Sequence, residues 1–526
     1  MTACKIQDIK GDLIMAVIER TRNTVTGAIW GAVEKASTIL LPFIVRTFLI
    51  KKLGSEYLGL SGLFSSILQV LNLTELGFGS AAVFAMYKPI ADDDYSTTGA
   101  ILAFLRKVYK LIGLITITAG VVCTPFLKYL ITGNVPSDIN IYILYYIYIA
   151  NTAVSYLLFA HKQSLLSALQ LNRITSKITF FTNTAMRLCQ IAVLVLIPNY
   201  YLYIVLMPIF TIVSNISCSV IVDKNYSKWL VYGKLEDSIR HDIKKRIFPL
   251  MSTKLAGVLV NAADTLVVSA FLGLTQVAIY NNYYYIMSSV SGFLIVIYNA
   301  MQAGIGNALV IDSHEKIMAD FKKFCFINNW VVTFCTVCLF CLYQPFMELW
   351  VGKDLMLSFG MVILFCVYFY ANTIQRIVVI YKDAAGIWKE DMLRCYLSCG
   401  LNLLVNIATV GYIGLYGVIG SSVAANVIGL PWMAFILYKT VFKESSKEFY
   451  LNEIKDAAIA VIVCFLTLTV CNLVPFGGVM GLLLKAAISV ILSNLLLFVC
   501  YFKSKQFALS KDWVLGVIKR KVGNKK

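Results

Sequence analysis

Apolar residues fill this chain in long blocks, and polar residues are confined to the short stretches between them. A helix of about 20 apolar residues crosses a bilayer. On that measure the pattern predicts fourteen spans: 24–50, 59–82, 108–130, 141–163, 178–197, 202–222, 253–272, 279–303, 324–346, 359–381, 395–414, 417–438, 457–474 and 479–502. Helices are required, because hydrocarbon offers exposed backbone groups no partner and the blocks are too long and continuous for barrel strands. Short connections predict antiparallel neighbours. The first block is unusual in carrying Glu34, Lys35 and Arg46. A charge at mid-bilayer costs roughly 2.5–3.5 kcal/mol on insertion scales, so such residues face a bundle interior or an aqueous cavity. This argues for a path taking polar or anionic cargo rather than for a simple anchor.

Composition gives the same class. With 59% hydrophobic and 14% charged residues in 526, the chain reads as an all-α polytopic membrane protein. A net charge of +18 would suggest nucleic acid in a soluble protein; here its distribution excludes that reading. The inner connections hold 37 of the 46 Lys and Arg residues, the outer ones four (Lys51, Lys52, Lys128 and Lys353), and the spans five. By the positive-inside rule both termini are cytoplasmic, consistent with an even number of spans. The first 23 residues lack an apolar signal core, so no cleaved signal peptide is expected. Fourteen cysteines scattered through apolar blocks predict free thiols rather than a disulfide framework.

A repeat organises the chain. Leu53-Gly-Ser-Glu-Tyr-Leu-Gly-Leu60 follows span one, and Leu272-Gly-Leu-Thr-Gln-Val-Ala-Ile-Tyr280 follows span seven, about 219 residues later. Six spans separate the copies, so both run in the same direction and form a parallel repeat of two six-span bundles. The expected organisation is a cytoplasmic or interfacial N-terminus (1–23), an N-lobe (24–222), an inter-lobe loop (223–252) and a C-lobe (253–440). Spans thirteen and fourteen (441–502) and a basic tail (503–526) follow. Trp513, Val514 and Leu515 beside Lys519-Arg520-Lys521 make the tail an interfacial helix drawn to anionic lipid; Leu13, Ile14, Val17 and Ile18 give a weaker version.

Four motifs resemble one family. They are Arg46-Thr-Phe-Leu-Ile-Lys-Lys-Leu-Gly-Ser-Glu-Tyr-Leu-Gly-Leu60, Leu73-Thr-Glu-Leu-Gly-Phe-Gly-Ser-Ala81, Asn261-Ala-Ala-Asp264 with Phe271-Leu-Gly273, and Gly411-Tyr-Ile-Gly-Leu-Tyr-Gly417. In order and spacing the chain resembles the Wzx-type polysaccharide flippases (O-antigen and capsule repeat units) of the multidrug/oligosaccharidyl-lipid/polysaccharide exporter superfamily. Glu75 stands where that family usually has Asp, keeping the charge. The resemblance implies two pseudo-two-fold six-helix lobes, two peripheral helices, and residence in the bacterial cytoplasmic membrane. It also implies flipping of an undecaprenyl-diphosphate-linked oligosaccharide between leaflets by alternating access, driven by an ion gradient (H+ or Na+). Contacts with other polysaccharide-assembly proteins would follow. No phosphate-loop motif is present, and no cofactor is expected.

Moving such a lipid requires cations for the diphosphate and polar or aromatic groups for the sugars. Arg suits phosphate because its planar fork meets two oxygens at once. The substrate candidates are Arg46, Lys35, Lys254 and Arg376, joined by Tyr298, Asn299 and Gln302 of span eight. Each has a plainer alternative: Arg46 reaching head groups beside Lys51 and Lys52, Lys35 neutralising Glu34, Lys254 belonging to the basic loop, and Arg376 reaching the inner interface. The span-eight aromatics could equally be interfacial belts. Glu34, Glu75 and Asp264 are the gating or ion-coupling candidates. Asp264 either closes an outer gate with Arg46 or packs within its own lobe. Arg187 and Lys485 read as structural. Cys335, Cys338 and Cys341 have a metal-like spacing but lie in an apolar span without His, so no metal site is expected. Asp92-Asp93-Asp94 reads as a solvated turn and helix start.

Two further functions remain open. A multidrug cation antiporter of the same superfamily would want an acidic cavity, whereas intramembrane cations outnumber acids here. A glycan polymerase or ligase would want a large outer loop, and the longest, Thr132–Asn140 and Glu348–Ser358, are short. The chain is not expected to be an enzyme.

Overall fold

The computed structural model describes residues 26, 29–72, 77–133, 135–231, 233 and 235–523. At 240, 242–254, 256, 261, 300, 303, 514 and 517–523 it describes the backbone alone. The protein is a multi-pass helical membrane protein. Among the described residues ten helices are long and apolar enough to cross a bilayer, and the bent pair α6 (Ile141–Leu157) and α7 (Ala160–Ala168) makes an eleventh. The chain divides into two compact units, Met1–Val258 and Leu259–Lys526.

The first unit contains α1 (29–52), α2 (Ser55–Leu71), α3 (Phe78–Ala91), α4 (Tyr95–Cys123), α5 (Leu127–Leu130), α6, α7, α8 (Asn172–Leu196) and α9 (Tyr200–Asn225). α4 starts where Asp94 accepts a hydrogen bond from the Thr97 amide at 2.9 Å, an N-cap that holds its carboxyl below the usual carboxylate range. The acidic triplet is therefore a turn and helix start. Ala81, Met86, Leu102, Leu105, Leu166 and Val222 are among the residues of one buried core cluster. A tyrosine cluster adds further contacts: Tyr200 donates to the Tyr57 carbonyl at 2.8 Å and Tyr148 to Ser61 at 3.0 Å. α1 packs on α8, with Trp30 edge-on to Phe180 and Ser37 bonded to Thr184 at 3.3 Å.

α10 (Asp237–Leu272) carries the chain into the second unit. There follow α11 (Leu274–Ile311), α12 (His314–Val351), α13 (Phe359–Ile374), α14 (Arg376–Ala384), α15 (Met392–Ile413), α16 (Leu415–Leu437), α17 (Lys447–Asn472), α18 (Gly478–Tyr501) and α19 (Lys505–Gly523). α17 and α18 pack on α12 and belong to this unit. The basic tail folds back too: Trp513 lies edge-on to Phe324 at 5.6 Å and Phe507 stacks on Trp330 at 5.9 Å. The motif around Leu13 lies outside the described residues.

Helices overrun the predicted spans on the inner side. α10 begins at Asp237 rather than 253, so helix replaces much of the expected 223–252 loop; α12 begins at His314 and α17 at Lys447. Apolarity marks where hydrocarbon ends, whereas a helix ends only where its backbone bonding is broken. The repeat is visible in backbone geometry. Gly54 (φ 122°) and Gly273 (φ 88°) each precede a helix, and each amide donates five residues back, to Leu49 at 3.3 Å and Val268 at 3.1 Å. A left-handed φ at both turns is why Gly stands there.

Hydrocarbon gives helices no hydrophobic reason to associate, so close packing at small residues matters. At Gly417 an added Cβ would lie 2.2 Å from Thr409 Oγ1 and 3.1 Å from its backbone carbon; at Gly420 it would meet nothing within 4 Å. Gly417→Ala is expected to destabilise by about 1–3 kcal/mol, and Gly420→Ala to be neutral or stabilising by up to about 1 kcal/mol. Thermal unfolding of the two variants in detergent checks the opposite signs.

A second expectation concerns Asp391, 0% exposed, between α14 and α15. Burial opposes its ionisation, but hydrogen bonds and charge from Arg394 and Lys382 outweigh it and hold the carboxyl below the usual range. Lys382 Nζ and Arg394 Nη2 each reach Asp391 Oδ2 at 2.8 Å. A carboxyl depressed on folding stabilises above its unfolded pKa and loses that contribution as pH falls through its folded one. Asp391→Asn strands Arg394 and leaves Lys382 with Asp383 alone, at a cost of about 3–5 kcal/mol. The variant should melt well below wild type at pH 7, and acidification below about pH 4 should narrow the gap.

Candidate functional site

The tenth span is broken. α13 ends at Ile374 and α14 begins at Arg376, with Gln375 between them. A break frees backbone groups that lipid cannot satisfy, and three side chains repair this one. Asn328 Nδ2 donates to the Ile374 carbonyl at 3.0 Å, Tyr298 donates to Asn328 Oδ1 at 2.6 Å, and Gln375 Nε2 donates to Asn426 Oδ1 at 2.6 Å. Arg376 follows this interruption, half-buried and with no ion pair among the described residues. Gln375 keeps helical dihedrals (φ −72°, ψ −7°) and Phe359–Ala384 runs as one span, so what the position offers an anion is the guanidinium itself.

Asp264, on α10, is 2% exposed. Its carboxylate accepts from Asn406 Nδ2 at 2.8 Å, Ser422 Oγ at 2.9 Å and Tyr280 OH at 3.2 Å. Asn402 Nδ2 supports the cage through Ser421 at 3.2 Å and Ser422 at 3.0 Å. No Lys, Arg or His bonds to the carboxylate among the described residues. Oδ1 of Asn402 and Oδ1 of Asn406 are buried with no hydrogen-bond donor. A carboxylate, two amide oxygens and two hydroxyls are the hard oxygen donors that a small cation prefers. They equally suit a carboxyl that takes up a proton. Tyr284 and Tyr368 lie within electrostatic reach of both Asp264 and Arg376.

The other candidates are spread more widely. Tyr298 is buried in the brace just described, while Asn299 and Gln302 are exposed on α11. In the first unit Glu34 is half-buried and Lys35 exposed on α1. Arg46 is half-buried and, like Arg187, within electrostatic reach of Tyr203. Arg187 also donates to Gln190 at 2.9 Å, which donates on to the Tyr203 carbonyl. Glu75 and the side chain of Lys254 lie outside the described residues.

With this geometry in hand, comparison with solved structures is informative. The lipid II flippase MurJ, in an inward closed conformation, superposes with a TM-score of 0.63 at 16% identity, covering 92% of this chain and 99% of its own. A multidrug resistance MATE family transporter of the MOP superfamily, inward-facing, gives 0.60 at 14%, covering 78% and 99%. The MATE transporter VcmN of Vibrio cholerae gives 0.52 at 12%, covering 82% and 100%. The chain has the MOP-superfamily transporter fold. No protein-family model and no curated protein sequence matches it.

Reading the sequence missed two residues of this transporter fold, both counted as inner-loop charges. Lys162, on α7, bonds both Asp223 oxygens at 2.6 and 2.7 Å and Ser219 at 2.7 Å. Lys382, on α14, bonds Asp391 and Asp383. Both are buried. They stand 220 residues apart, close to the offset of the Leu-Gly repeat, which is the signal that could have found them.

The brace gives a testable order of effects. Asn328→Ala orphans the Ile374 carbonyl and the Tyr298 hydroxyl together, whereas Tyr298→Phe orphans only Asn328 Oδ1. Each unmet buried group costs about 1–3 kcal/mol, so Asn328→Ala should lower the thermal midpoint about twice as far.

Proposed function

We propose that this protein flips an undecaprenyl-diphosphate-linked oligosaccharide from the inner to the outer leaflet by alternating access, drawing on a Na+ or H+ gradient. The observation that carries this reading is the extent of the structural likeness. The lipid II flippase accounts for 92% of the chain, while the MATE transporters leave about a fifth of it unmatched although their own lengths are covered. The charge pattern supports it. Arg376, half-buried in the tenth span, is the anchor for the diphosphate, with Arg46, Lys35 and Lys254 as further cationic contacts. Asn299 and Gln302 are exposed hydrogen-bonding groups for the cargo, and Tyr298 acts by positioning the break.

Asp264 is the coupling group. An unneutralised carboxylate at this depth is costly, so a small cation or a proton binds there. The bound ion relieves the orphaned amide oxygens and changes the field felt by Tyr284 and Tyr368, which are within electrostatic reach of both Asp264 and Arg376. Glu34 and Glu75 are secondary candidates for the same work. The cytoplasmic membrane, with both termini inside, is the corresponding location. Partners are the lipid-linked glycan, bulk lipid and other polysaccharide-assembly proteins. A multidrug cation antiporter is the second reading, favoured by the MATE likeness.

A leaflet-accessibility assay in vesicles tests the choice, using a defined undecaprenyl-diphosphate oligosaccharide with and without imposed Na+ and pH gradients. Wild type should move the lipid faster under one gradient. Asp264→Asn should lose that acceleration, and Arg376→Gln should slow movement at least tenfold. Transport of a cationic dye with no movement of the lipid would select the antiporter instead.

A further inference from the structure

The fourth span is broken as well, and its break borders a cavity that the proposals above do not use. α6 and α7 meet at 49°. At the joint Phe159 has φ 60°, a left-handed conformation costly for a side chain with a Cβ. Strain of this kind persists only where its surroundings impose it. Beside the joint the Lys162 ammonium lies 4.9 Å from the Phe159 ring centre while tied to Asp223 and Ser219 of α9. The bend gathers Ser155 and Tyr156 of α6 with Gln163, Ser164 and Ser167 of α7 around one space, faced by α3, α4 and α9.

That space measures 720 Å³, within the usual range for small-molecule sites of about 300–1,000 Å³. None of the thirteen described residues that line it is Asp, Glu, Lys, Arg or His. Hydroxyls and amides line it instead, an expensive choice inside a membrane span unless they find partners. Some are partnered within the protein: Gln163 Nε2 donates to Asn215 Oδ1 at 2.9 Å, and Tyr109 and Ser164 hydroxyls meet at 3.4 Å. The hydroxyls of Ser80, Tyr87 and Ser167 have no partner among the described residues. Aromatic faces complete the wall, Tyr109 stacked on Tyr156 at 6.1 Å and Phe84 edge-on to Tyr87.

We propose that this cavity holds the sugar rings of the cargo, and that it selects uncharged sugars. The inference rests on the flippase reading and deepens it. A neutral pyranose offers hydroxyls that both donate and accept, matching the serines, amides and Tyr87, and C–H faces that pack on aromatic rings. A uronic acid would bring a carboxylate into a wall with no cation, since Lys162 is already neutralised by Asp223.

The test uses the full chain in vesicles and three probe lipids: undecaprenyl diphosphate bearing a neutral oligosaccharide, the same lipid with one hexose replaced by a hexuronic acid, and bare undecaprenyl diphosphate. Wild type should move the neutral lipid at least tenfold faster than the acidic one. Gln163→Leu with Ser167→Val should slow the neutral lipid at least tenfold while changing bare lipid less than twofold. Tyr87→Phe, which removes one exposed oxygen and leaves the fold alone, should slow only the glycosylated lipid, by two- to fivefold. Equal slowing of bare and glycosylated lipid, no slowing in either variant, or equal wild-type rates for neutral and acidic lipid would each overturn the proposal. Wild type that moves none of the three would instead overturn the transport reading, and this inference with it.

Discussion

Inside hydrocarbon a backbone carbonyl or amide has only the protein to bond to. A continuous helix meets that constraint by itself, so every interruption has to be repaired by side chains. Among the described residues the tenth and fourth spans are interrupted, and side chains brace each place. Asn328, held by Tyr298, meets the free Ile374 carbonyl of the tenth span, beside a Gln375–Asn426 bond; Lys162 ties the helix after the fourth-span bend to Ser219 and Asp223. Geometry that would otherwise be unaffordable in lipid is what presents charge and hydrogen-bonding capacity at chosen points.

The same economy governs the charges. Lys162 and Lys382 are buried but carry carboxylate partners, so they hold structure. Among the described residues Asp264 is held by neutral groups and Arg376 has no ion pair. A buried charge with a fixed counter-charge braces the fold; one surrounded by hydroxyls and amides is positioned without being neutralised. That distinction separates structural ionic groups from candidate working ones in this protein.

The repeat is deeper than its eight or nine residues suggest. Gly54 and Gly273 make the same left-handed turn with the same backbone bond. Spans four and ten both break, at Phe159 and Gln375, and each is followed by a buried Lys. Within this common plan the units have diverged in chemistry. The first has a neutralised Lys162–Asp223 pair at its break and uncharged described residues lining the space beside it, whereas the second, among the described residues, places an unpaired arginine at its break and holds Asp264 among neutral groups.

The apolar blocks by themselves determined the all-helical, multi-pass class, because that depends only on transfer between water and hydrocarbon along one dimension. They also exposed Arg46, Asp264 and Arg376, since a charge in an apolar block is conspicuous without any structure. Only the tertiary structure decided what those charges meet. Nothing in the order of residues announces that Asn402, Asn406 and Ser422, more than 130 positions further on, close around Asp264, or that Lys162 and Lys382 are buried rather than solvated. Nor did hydropathy reveal the two breaks, for neither contains Gly or Pro at the joint and both lie in uniformly apolar or mixed sequence. Hydropathy records what a segment avoids; a break or a cage is stabilised by distant partners, and those exist only once the helices have packed.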